Sequence, residues 1–349
     1  MKPYYFAFIC IFICFSCSET ATLPSIPTEH FAVAHKIHTR NVIELEQFGI
    51  FRPSKCIRYK NWYVLADYGD RDNHVCFLST DLSKLVSGLR EGNGPLDIVG
   101  SFDLCFVEDS LFVIDPNHKK ILTVDVVADS LEVKVSSYDF EMGWPCMPIT
   151  RDRFIGEIRS DSSMYQLEDR NGCILARINY PEDKNLRKLS YVAQNSIYVN
   201  TKFCVSPNKK KYAFGTSFTG MYGFGSIINQ DSITLDKTLS YYSLDIQEII
   251  EFGGDRVVPS EKSMVNVCSC TGSDKYAIFS FAGYRYGEME KYAKSLLLYT
   301  WDGEPYMCLD IEDDNVSQIY YDSIRNVIVG IAHNPEAQLV EYDMKGIIK

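Results

Sequence analysis

WYVLAD, residues 62–67, and LFVID, residues 111–115, are one element written twice: a run of large apolar side chains ending in aspartate. A β-type run and a turn come before each, and another turn and run follow. CIRYKN leads into the first and HVCFLST follows it; DLCFVEDS and KILTVD flank the second. The succession returns four more times, with second runs beginning near Arg153, Lys211, Lys275 and Asn326. From Trp62 through Leu111 to the last, the spacings are 49, 42, 58, 64 and 51 residues. Short apolar runs bounded by turn signals read as buried strands. Six strand-only units at this period read as propeller blades; a pair of β-sandwiches would not keep one period over ~300 residues.

The expected fold is therefore all-β: a six-bladed β-propeller of four-stranded antiparallel blades. The last unit offers only three strands. NVIELE, residues 41–46, is a strand with no blade of its own. Added to the last blade it would close the ring and remove an exposed edge.

The 349 residues are 46% hydrophobic and 23% charged, ordinary for a chain that buries a sizeable core. The formal net charge of −11 argues against nucleic acid and against an electrostatic grip on anionic lipid. The chain opens MKPYYFAFICIFICFSCSET: one lysine, then an apolar run from Pro3 to Phe15. That run is too short for a bilayer-spanning helix, which needs about 20 residues. It reads as a secretory signal over 1–16, and the Ser16–Cys17 ending as a lipoprotein site with Cys17 carrying the lipid. Residues 17–40 read as a flexible tether, polar and punctuated by proline, with 41–349 as the propeller. His30, His35 and His38 fall at no metal-ligand spacing and read as polar linker residues.

Nine cysteines remain after Cys17, scattered and without a CxxC pair. Most stand among Val, Ile, Phe and Leu, so they read as small core residues rather than a disulfide framework.

The chain resembles the Bacteroidetes TolB-like six-bladed β-propeller lipoproteins. The residues that carry the resemblance are the Ser16–Cys17 signal ending, Gly92-Asn93-Gly94-Pro95 after blade one and Cys204-Val-Ser-Pro-Asn208 opening blade four. Blade five adds Tyr299-Thr-Trp-Asp-Gly303 with Pro305 and Leu309-Asp310. It covers residue 40 to the end. The chain departs from the family at Leu96-Asp97, where Gly-Glu is usual. The resemblance implies an exported, lipid-anchored propeller at the outer membrane; its motifs are turns and specify no activity.

GLREGNGPLDIVGSF, residues 88–102, lacks the Lys-Ser/Thr of a phosphate loop and the third, helix-opening glycine of a dinucleotide fingerprint. It reads as an inter-blade crossing. In a four-stranded antiparallel blade, the crossing into the first strand and the loop between strands two and three share one face of the disc. That face is expected to collect Arg52, Arg90, Glu91, Asn93, Trp144, Arg187 and Arg256 from crossings. Loops are expected to add His74, Tyr222 and Phe224 (in GMYGFG), and Tyr284, Arg285, Tyr286 and Glu288 (in AGYRYGEMEKY). Arginine and tyrosine are favoured binding residues, so Arg90, Glu91, Asn93, Tyr222, Phe224, Tyr284, Arg285 and Tyr286 form the candidate binding face. The other reading makes the tyrosines blade-end caps and the arginines partners of local acids.

Two function classes follow. One is a non-catalytic, envelope-anchored propeller, without a cofactor, that binds a peptide, glycan or envelope protein. The other is a metal-dependent hydrolase of small esters or lactones, with a divalent metal on the axis near Asp67, Asp115 and Glu157. The remaining blades offer only Thr216, Ser280 and Ala332 there. No GxSxG elbow, HExxH or Cys–His pair is present to suggest other hydrolytic chemistry.

Overall fold

The computed structural model describes residues 25–139, 146–158, 163–180, 189–198, 201–242, 244, 246–249, 256–288, 292–311 and 314–348. The signal peptide and Cys17 lie outside them, as do Trp144 and Arg187. Among the described residues no helix is long and apolar enough to cross a membrane.

Six sheets stand around one axis. Blade one is Pro53–Tyr59, Trp62–Asp67, Val75–Ser79 and Leu85–Gly88, paired antiparallel in that order from the axis outward. Blade two runs Asp103–Val107, Ser110–Asp115, Lys120–Val127, Ser130–Ser137; blade three runs Cys146–Thr150, Arg153–Glu157, Ser163–Asp169, Ile174–Asn179. Blade four is Lys202–Val205, Lys211–Gly215, Met221–Ile228, Ser232–Ser240; blade five is Val267–Gly272, Tyr276–Phe281, Ser295–Thr300, Pro305–Asp310. Blade six has only Val316–Asp322, Val327–His333 and Ala337–Asp343 from the C-terminal end, and Thr39–Glu44 completes it antiparallel to Ala337–Asp343. The first strand of each blade lies against those of both neighbours, including blade six against blade one.

Six apolar clusters hold the ring, one in each gap between adjacent blades. Each blade is therefore buried on both faces near the axis, which is why Tyr63–Asp67 and Val75–Ser79 are buried without alternation. An outer strand such as Ser130–Ser137 has one wet face, and burial there alternates. Ile43 and Leu45, 3% and 0% exposed, carry the N-terminal strand's share into the gap between blades six and one.

The innermost strand of every blade has an edge with no further strand to pair it. Side chains of the neighbouring blade meet part of that need. Ile319 N–H donates to Ser269 Oγ (3.2 Å), Tyr321 N–H to Thr271 Oγ1 (3.1 Å) and Cys56 N–H to Gln318 Oε1 (3.1 Å). The closure seam carries a buried charge network as well. Arg58 and Arg325 both bond Asp322 (2.8 and 2.7 Å), and Arg325 also bonds Glu341 (2.6 Å), which accepts from the Tyr63 hydroxyl (2.6 Å).

The segment expected as a tether is docked where it is described. His30 lies 4.8 Å from the Tyr241 ring, and Phe31, 8% exposed, meets Tyr299 edge-on at 5.0 Å. Ala34–Lys36 then pairs parallel with Pro305–Asp310, giving blade five a fifth strand. The cause is the open outer edge of that blade beside an apolar slot that fits one phenyl ring.

Two further elements sit in the long crossings. Tyr191–Tyr198 is a helix between blades three and four, and Ile246–Ile249 pairs with Arg256–Pro259 as a hairpin between blades four and five. The Ser196 hydroxyl donates to the Val257 carbonyl (3.3 Å), tying them together. The 58- and 64-residue spacings read from the sequence are the trace of these two insertions.

Candidate functional site

Each blade's first strand starts on the face reached by the crossings, and there the axis opens into a cavity of about 380 Å³. Every blade lines it: Ser54 and Lys55 from blade one, Asp103 from two, Met147 from three, Lys202 and Phe203 from four, Cys268 to Cys270 from five, Ser317 and Gln318 from six. Tyr68, Ser101, Phe102 and Thr201 complete the mouth. A volume of this order suits a small-molecule site, usually a few hundred Å³.

Two lysines set its electrostatics. Lys55 pairs with Asp103, itself 2% exposed. Burial works against the Lys55 charge, but the adjacent Asp103 carboxylate outweighs it and holds the ammonium above its usual range. Burial pushes the Asp103 carboxyl up, against the pull of Lys55. Lys202 makes no ion pair with a described residue, and burial lowers its pKa, against the opposing pull of Cys268, Cys270 and Glu157. The Cys268 thiol is itself pushed up to about 11 by burial, so at neutral pH it is no thiolate nucleophile. All nine described cysteines are free, most of them buried, as core residues would be.

The face expected from strand polarity is the one onto which this cavity opens. None of the residues expected to form the binding face lines the cavity itself. Tyr222 and Phe224 are not loop residues: they lie in the third strand of blade four, each 0% exposed, and the Tyr222 hydroxyl donates to Asn266 Oδ1 (2.7 Å). Gly223 and Gly225 beside them give the stretch the look of a loop. A Cβ at Gly223 would meet the Phe214 ring at 2.1 Å, and one at Gly225 the Tyr212 ring at 2.2 Å. These glycines make room for aromatic rings inside a sheet. Tyr284 is also buried, at 6% exposed.

Arg285 and Tyr286 are exposed on this face, and Tyr286 sits edge-on to Phe218 of the neighbouring blade at 5.5 Å. Neither lines the cavity. Arg90, Glu91 and Asn93 are similarly outside it. Arg90 Nε donates to Asp97 (2.9 Å), Glu91 faces Arg71 (3.4 Å) and Asn93 meets the His118 ring (3.1 Å). The loop they belong to is built around Asp97. Its carboxylate accepts the Gly94 N–H (2.8 Å), and a Cβ at Gly92 or Gly94 would strike it at 2.5 or 2.7 Å. Lys120 reaches from blade two to the Gly94 and Asp97 carbonyls. Arg52 is exposed, and His74 is buried with its ring against the Asp67 carbonyl (3.0 Å).

Asp67 and Asp115 do not form an axial metal set. Asp67 accepts the N–H groups of Arg52 (2.7 Å), Gly69 (3.0 Å) and Phe51 (3.3 Å). Asp115 accepts those of Asn117 (3.0 Å), His118 (3.2 Å) and Val99 (3.3 Å), with the His118 ring at 2.8 Å. The aspartate closing each repeated strand thus fixes the turn after it and the crossing beside it. Glu157 is buried at the matching position of blade three but does not line the cavity. Among the described residues no three His, Cys, Asp or Glu side chains come together as a metal site.

No protein-family model matches the chain, and no curated protein matches it. Solved structures do. A Bacteroides fragilis protein described as exported matches with a TM-score of 0.51 at 10% identity, over 89% of this chain and 98% of its own. The β-propeller domain of Cps50 (Swd1) from Myceliophteria thermophila matches with a TM-score of 0.44 at 10% identity, over 88% and 99%. At such identity the likeness is one of fold.

Proposed function

We propose that this chain is an exported, lipid-anchored propeller that binds a ligand or partner at the mouth of its axial channel and does no chemistry on it. The cavity shared by all six blades, on the face fed by the crossings, carries the reading. Peptide, glycan and envelope protein remain the partner classes, since a chain end or a sugar unit matches the size of the opening. The apolar N-terminal run and the likeness to an exported Bacteroides fragilis protein support export, and the Ser16–Cys17 ending supports a lipid anchor. Committed side chains at Asp67 and Asp115 weigh against the hydrolase alternative and its divalent cofactor.

Lipidation is tested by labelling cells with a fatty-acid analogue. Cys17→Ala should lose label and membrane retention, and a variant that still takes label removes the anchor. Binding is tested by melting the parent and Ser101→Trp, which fills the mouth, against organic acids, dipeptides and oligosaccharides. A ligand present at 100 times its Kd adds about 2.7 kcal/mol to stability, so at least one class should raise the parent's Tm and leave the variant's alone. Equal shifts in both proteins, or none in either, would overturn the channel as the site.

A further inference from the structure

Most polar groups in the channel already have partners within the protein. Ser54 and Ser317 donate to the Ala66 and Ile331 carbonyls, Ser269 accepts the Ile319 N–H, and Gln318 uses both ends of its amide. Lys55 and Asp103 cancel as charges. Lys202 is left, a strong donor with one positive charge and no ion-pair partner among the described residues. Glu157, whose field reaches it, stays buried at the end of its own strand.

We propose that the channel takes a single carboxylate, with Lys202 as its counter-ion and the ligand's apolar body against Phe102, Phe203 and Tyr68. The proposal rests on the binding reading above and names the ligand chemistry of that site. A partly buried ammonium is stabilised by a counter-ion that shares its low-dielectric surroundings. One positive charge without an ion-pair partner among the described residues matches a monoanion; a phosphate dianion would keep a charge unmatched in the same space. The aromatic walls favour a ligand that presents a ring or chain behind the acid group. A free organic acid and the C-terminus of a peptide both meet this description.

The experiment is calorimetric titration of the processed chain with matched pairs: phenylacetate against phenylacetamide, and a phenylalanine-terminated tetrapeptide with free against amidated end, with inorganic phosphate as a competitor. In at least one pair the acid should bind about tenfold tighter than its amide or more, the scale of a charge-assisted hydrogen bond. Lys202→Met should erase the preference, and Lys202→Arg should retain it. Melting curves of both variants exclude a folding defect as the cause. Preference in the first pair alone makes the channel a small-molecule site, and in the second alone a chain-end site; either supports the proposal. Equal binding of acid and amide, or a preference that survives Lys202→Met, overturns it while leaving the channel a binding site. Phosphate binding tighter than either acid overturns the carboxylate in favour of a dianion. Silence from every probe, joined to an unchanged melting screen, overturns the carboxylate and the binding reading together.

Discussion

Asp67 shows how a single carboxylate fixes a blade. It is 0% exposed, and its two oxygens hold three backbone N–H groups around the start of blade one. Asp67→Ala strands those donors and is expected to cost about 2–4 kcal/mol, read as a fall in the urea midpoint at unchanged slope. Because the oxygens are so committed, millimolar calcium should leave the parent's Tm where it was; a rise would restore the axial-metal reading. At Gly223, alanine would drive a methyl group into the Phe214 ring. Gly223→Ala should destabilise by about 1–3 kcal/mol, the ordinary cost of overpacking; a neutral result would mean that the ring can move aside.

Among the elements, the strand Thr39–Glu44 has the most consequence. It covers the outer edge of Ala337–Asp343 and places Ile43 in the closure gap. Removing residues 39–44 should add concentration-dependent association, read by light scattering against the parent, because an uncovered edge is a template for another chain. A deletion that associates no more than the parent and melts like it would show that the edge needs no cover. This strand was legible in the sequence because the short β-type run NVIELE stood ahead of the first unit and the last unit lacked a fourth run. The parallel strand Ala34–Lys36 was not legible, since all three residues are exposed and only one of them, Ala34, is apolar. The six second strands were the easiest elements to read, because burial on both faces demands an unbroken apolar run.

At the scale of the molecule, the seam between blades six and one joins the two ends of the sequence through buried charges. Burial works against the Asp322 charge, but the Arg325 and Arg58 guanidiniums outweigh it and hold its carboxyl below the usual range. A carboxylate whose pKa is lower in the folded state contributes stability that is present above its unfolded value of about 3.9 and is lost as pH falls through the folded value. Asp322→Asn should therefore be less stable than the parent at pH 7 and lose less than the parent below about pH 4; parallel acid limbs would show that Asp322 is not responsible. The channel itself was hidden for a reason of the same scale. Lys55, Asp103, Lys202, Ser269 and Gln318 are far apart along the chain and meet only when the ring forms. The available signal was a polar or charged residue near the start of five of the six first strands, blade three with Met147 being the exception, where a blade core alone would call for an apolar one.

Ring closure also imposes an order in time. The Gln338 side-chain amide bonds Glu44 across 294 positions of sequence. During synthesis the strand that completes blade six emerges near the beginning, and its partner near the end. The entropy of bringing them together grows slowly with length, by about 0.6 kcal/mol per doubling, but contacts this distant delay folding. Each newly made molecule must therefore hold an unpaired strand at its leading end until nearly the whole chain has been made. Only then can the six blades become a single cooperative body.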